Sequence, residues 1–128
     1  KARRLRKMLG GGMRQAGILA AAGLVALDNM IERLAEDHER ARLLAKGLAE
    51  VPGLRLDKGT PYTNMVYLAL SPEVRLDAPA IVKAMEKQGI LIGDTSKRTF
   101  RLVTHHDVDE EAVAACIEAF QKVMSRAV

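Results

Sequence analysis

The sequence predicts an α+β fold in which long N-terminal helices lead into a small antiparallel or mixed sheet covered on one face by two helices. Three observations predict it. Apolar residues between 31 and 48 recur at helical spacing, and residues 64–70 and 99–104 instead alternate as strands do. Two later helices are punctuated at the capping positions, by Asp77 and Gly89 for one and by Asp107 for the other. The implied division is 1–51, interdomain or interface helices, and 52–128, a small α/β C-terminal domain.

Residues 1–9 read as the tail of a helix broken by Gly10-Gly11-Gly12. Residues 13–27 then form a helix apolar nearly all round, which belongs in an interior or an interface. Gly17 and Gly23 cost helix propensity there, so close packing by a partner subunit or a further domain is expected. Residues 28–51 continue as an amphipathic helix whose apolar stripe is Ile31, Leu34, Ala35, His38, Ala41, Ala45 and Leu48, and Pro52-Gly53 ends it. His38 reads as a half-buried packing residue.

The remainder reads strand, strand, helix, strand, strand, helix. Leu54 to Lys58 is a short strand, and Asn64 to Leu70 sets Val66, Leu68 and Leu70 on one face. Asp77 caps a helix to Gln88, with Gly89 as its stop. Ile90 to Ile92 is a brief strand, Gly93 to Lys97 a polar turn and Thr99 to Thr104 the last strand. Asp107 and Glu110 have capping-box spacing, so the final helix is expected from about Val108 to Arg126, with Val113, Cys116, Ile117, Phe120, Val123 and Met124 inward.

Composition narrows the function classes. A chain of 128 residues fits one domain with a useful core, built of aliphatic residues because aromatics make up only 3%. Residues 1–7 hold five of the 20 basic residues and no acidic ones, leaving 15 basic against 16 acidic residues elsewhere, a net −1. The overall charge of +4 therefore belongs to one end, and with so few bases-stacking side chains nucleic-acid binding is not expected. The single cysteine excludes an internal disulfide and points to a reducing, cytoplasmic setting. The apolar stretch 18–27 is bounded too closely by Arg14 and Asp28 to span a membrane. The opening Lys1-Ala2-Arg3-Arg4 reads as the middle of a helix, so the chain is expected to be an excerpt of a longer protein.

Three places could carry chemistry. The glycine run, flanked by Lys7 and Arg14, is either a flexible joint or an anion site at a helix start, and the residues alone leave both open. Neither the dinucleotide fingerprint nor the Walker-type loop fits its spacing. Arg101 alternates with Phe100 and Leu102 and so points away from the helices, where its fork could hold a carboxylate or simply be solvated. His105-His106-Asp107 lacks a third ligand at metal spacing, so no metal is expected, and His105 is read as fixing the turn or lining a cleft edge. Asp94, Lys97 and Arg98 read as turn chemistry.

The segments KMLGGGMRQAGILAAAGLVAL (residues 7–27) and FRLVTHHDV (residues 100–108) together resemble the C-terminal part of the low-specificity L-threonine aldolases. These are pyridoxal-phosphate (PLP) enzymes of the aspartate-aminotransferase fold type I, and the likeness runs in order over essentially the whole chain. It implies a lyase that cleaves threonine-like β-hydroxy-α-amino acids to glycine and an aldehyde, with PLP as electron sink. It also implies a homo-oligomer, a dimer or tetramer, whose missing large domain carries the imine-forming lysine. By the same resemblance Lys7 and Arg14 match residues that approach the cofactor phosphate from a neighbouring subunit, and Arg101 matches the arginine that grips the substrate α-carboxylate. No catalytic residue is expected in this chain itself, which alone would be inactive. The alternatives are another fold-type-I lyase or hydroxymethyltransferase, or a non-catalytic α/β module for ligand binding or oligomerisation.

Overall fold

The computed structural model describes residues 1–127, in the order α1 (Ala2–Met8), α2 (Gly17–Asn29), α3 (Leu34–Ala49), β1 (Leu54–Leu56), β2 (Met65–Leu70), α4 (Ala78–Glu86), β3 (Gly93–Ser96), β4 (Thr99–Val103) and α5 (Glu110–Met124). It divides into two compact units, Lys1–Leu34 and the remainder from Ala35. The division expected from sequence fell after residue 51. The structure groups α3 with the sheet because Ala41, Leu44, Ala45 and Leu48 are buried in the sheet's core.

In the first unit, neither α1 nor α2 has a buried residue. Helix α2 begins at Gly17 rather than near Met13, and it is separate from α3, with turn at 30–33. Its apolar side chains stay uncovered, Ile18 at 83% exposure, and this is the helix whose composition calls for an apolar neighbour.

In the second unit, the strands form one antiparallel sheet in the order β1-β2-β4-β3. Alternation decides its two faces. Val66 faces Leu102 and Leu68 faces Phe100 across the β2–β4 ladder, and all four are buried. Ile81 and Met85 of α4 and Val113, Phe120 and Met124 of α5 pack on this face. The rings of Phe100 and Phe120 meet edge to face, with centroids 6.0 Å apart. The two expected helices thus cover the sheet, and α3 joins them. A Cβ at Gly47 would overlap the Ile117 side chain, so a larger residue there would force Ile117 to shift where α3 meets α5.

Local signals explain most boundaries and correct two. Asp77 caps α4 as expected, its carboxylate accepting from the Ala80 N–H at 3.0 Å, and Gly89 stops the chain with φ +78°. Helix α5, however, is capped by Asp109 and not by Asp107: the Asp109 carboxylate accepts from the Ala112 N–H at 2.8 Å. Asp107 is instead held in the preceding turn. The strand expected at 90–92 is displaced to Gly93–Ser96, the stretch read as polar turn. Ile90 and Ile92 pack against the core, while Leu91 is 83% exposed, and ladder pairing begins only where Gly93 meets Arg101.

Arg98 also does more than shape a turn. Its guanidinium donates to the carbonyls of Ser71, Val74 and Leu76, pinning the connection between β2 and α4.

Replacing Asp109 by alanine should cost about 1 kcal/mol in urea-induced unfolding, the usual worth of an N-cap. The same change at Asp107 should stay within about 0.5 kcal/mol, as for an ordinary surface site. The reverse order would restore the capping box to Asp107.

Candidate functional site

In the first unit, the glycine run has a specific job. Gly10 adopts φ +84°, the Gly11 N–H donates to the Arg6 carbonyl at 2.8 Å and the Gly10 N–H to the Lys7 carbonyl at 3.3 Å. This is the Schellman closure of α1, with Gly10 in the left-handed position. A Cβ on Gly11 would lie 2.8 Å from the Arg6 side chain, and one on Gly12 would lie 3.0 Å from that of Lys7. The glycines therefore end α1, and the expected joint directly before the next helix is corrected, because residues 13–16 intervene before α2. A concave surface of about 400 Å³ remains at the joint, lined by Arg6, Lys7, the three glycines and the start of α2. Lys7 is exposed on it, and Arg14 is exposed beside the run without lining it.

In the second unit, a groove of about 500 Å³ opens along the segment 89–93, the end of β4 and the first turns of α5. Arg101 lines it. The burial of Phe100 and Leu102 on one side of β4 turns Arg101 to the other, where it is exposed and has no ion-pair partner among the described residues. Tyr67 faces it across β2, and Lys58 sits 3.9 Å from the centre of the Tyr67 ring, a cation–π contact that keeps the ring in place. On the other side of Arg101, the facing residue is Gly93.

The end of β4 is fixed by three hydrogen bonds to two residues. The Thr104 hydroxyl, fully buried, donates to the Asp37 carbonyl of α3 at 2.7 Å. The Asn64 amide donates to the Thr104 carbonyl at 2.8 Å, and the Thr104 N–H donates back to the Asn64 carbonyl. These clamps, with the buried Asp37, were not anticipated from sequence, since a polar residue on a helix face gives no sign of which distant strand it meets.

His105 follows immediately and also lines the groove. Its Nδ1 accepts the Asp107 N–H at 3.2 Å and lies 3.7 Å from the Asp107 carboxylate. The turn-fixing role expected for His105 is therefore visible. Among the described residues, no three histidine, cysteine or acidic side chains converge as metal ligands would. No helix among them is long and apolar enough to cross a membrane.

Cys116 reaches the groove wall from α5 but is buried. Burial pushes its thiol pKa from 9.0 up to about 11, so it stays protonated and unreactive.

The cystine C-S lyase C-DES, in complex with its reaction product cysteine persulfide, superposes with a TM-score of 0.68 at 24% identity, over 83% of this chain and 28% of that one. A mutant of the same enzyme carries glycine covalently linked to its PLP cofactor and matches equally well. The fold is thus one shared with PLP enzymes of fold type I.

A family model of the beta-eliminating lyases matches residues 1–71, more than half of the chain. The chain belongs to the beta-eliminating lyase family. It is 40% identical to low-specificity L-threonine aldolase 1 of Arabidopsis thaliana over 97% of its length. It is also 40% identical to the low specificity L-threonine aldolase of Escherichia coli K12 over 98%. The resemblance read from GGGMRQAG and RLVTH is therefore borne out. The chain spans about 35% of the length of these relatives.

The raised thiol pKa makes the stabilising contribution of Cys116 complete below pH 9.0 and progressively lost as pH climbs towards about 11. In native protein at about pH 8, a thiol reagent should label Cys116 only as fast as the chain opens, and at once in denaturant. Rapid labelling without unfolding would contradict the buried, protonated thiol.

Proposed function

We propose that this chain is the C-terminal part of a PLP-dependent aldolase that cleaves threonine-like β-hydroxy-α-amino acids to glycine and an aldehyde. The observation that carries it is Arg101: a residue at the margin of a roomy groove, its side chain turned by its strand to the uncovered face of the sheet and without an ion-pair partner among the described residues. Its planar fork suits the two oxygens of an α-carboxylate in a bidentate, charge-assisted pair. Tyr67 is its register partner on β2. The named aldolase relatives supply the reaction class.

The residues at the glycine joint fit the phosphate of PLP. The glycine-lined concavity admits a bulky anion, Lys7 presents a flexible ammonium to it, and Arg14 lies exposed close by in sequence. When bound, the cofactor would supply the electron sink for the carbanion left by Cα–Cβ cleavage. Lys7 and Arg14 would neutralise its phosphate, and Arg101 would orient the amino acid by its carboxylate. The lysine that attaches the cofactor is assigned to the large domain, and the exposed apolar side chains of α2 support an assembly with further polypeptide, as a homo-oligomer. The cytoplasm is the compartment we assign.

The test uses the full-length protein that carries this chain. Supplied with L-threonine and no folate, it should release glycine and acetaldehyde; no product without folate would favour a hydroxymethyltransferase. Arg101→Ala should raise KM for the amino acid by the equivalent of about 1.5–3 kcal/mol, with cofactor retention unchanged. Lys7→Ala and Arg14→Ala should instead lose the visible absorption of bound PLP on dialysis. An unaltered KM in the first variant would remove the carboxylate role of Arg101.

A further inference from the structure

Gly93 is a strand residue whose identity neither its backbone conformation nor its local packing explains. Glycine is a poor strand former, because it lacks a side chain to pack and gives up the most backbone freedom. It is usually kept in a strand for a left-handed φ, for a close approach by neighbouring atoms, or for a ligand that comes near the backbone. The first reason is absent, since Gly93 is not among the positive-φ glycines. The second is absent too: a Cβ built there meets no atom within 4 Å.

The register supplies the third reason. Gly93 is paired directly with Arg101, and directly paired residues of an antiparallel ladder project to the same face. On that face Arg101 thus has Tyr67 on one flank and, on the other, a residue without a side chain whose Cβ position is open space. Gly93 and Arg101 also line the same groove. We propose that Gly93 is a specificity-determining residue: its missing side chain leaves the space beside the Arg101 guanidinium that the carboxylate of a small amino acid occupies. The proposal rests on the carboxylate role given to Arg101 above. It adds the flank from which the ligand approaches, and it makes the side chain at position 93 the limit on ligand fit.

The test measures binding and stability separately, in the PLP-loaded full-length protein, with glycine as the probe. Gly93→Ala should keep its Tm or gain slightly, because alanine fits an ordinary φ in open space. Its Kd for glycine, measured by calorimetry, should nevertheless weaken about tenfold or more, and Gly93→Val should weaken it further. A Kd within about twofold of the parent overturns the proposal, provided that Arg101→Ala does weaken binding. If Arg101→Ala leaves glycine binding unchanged, the carboxylate role itself fails and this inference goes with it. A clear fall in Tm for Gly93→Ala also overturns it, since the position would then be closed by the fold rather than kept open for a ligand.

Discussion

The burial of Phe100 against Phe120 is the constraint on which the rest of the second unit depends. A strand fixed at one residue by a fully enclosed ring cannot turn about its own axis. Leu102, also buried, fixes it a second time. Between them Arg101 has one direction left, and that direction is the uncovered face of the sheet. A charge in such a place carries little desolvation cost and remains available to a ligand. The polar clamp through Thr104 then sets where the strand stops and the groove wall begins.

The two sites are built on different principles. At the glycine run, three adjacent residues without side chains let the backbone fold back on α1, and the space left beside Lys7 is a by-product of closing a helix. At β4, the space beside Arg101 comes from sheet register, which brings residues from positions 67, 93 and 101 onto one face. The first is a local device, legible to anyone who knows what ends a helix. The second depends on long-range pairing.

That difference explains how far the sequence could be read. Alternation in 64–70 and 99–104 was enough to orient Arg101, and the capping residues Asp77 and Gly89 marked α4 correctly. The capping-box spacing of Asp107 and Glu110 misled because Asp109, two residues on, competes for the same role with equal chemistry. The polar residues 93–96 gave no apolar period, since an edge strand with nothing to bury on either face has none. Gly93 was consequently invisible as a groove residue. Arg98, too, looked like a solvated turn cation; its three carbonyl partners lie more than twenty positions away. The family likeness rested on short motifs that themselves reflect these geometries.

The sheet's outer strands are its least regular. Strand β1 has three residues, and β3 has four, interrupted by a register shift between Asp94 and Ser96. The hydroxyls of Thr95 and Ser96 close on that of Thr99 instead of pointing along a clean ladder. Short, kinked margins of this kind make poor templates for recruiting foreign strands.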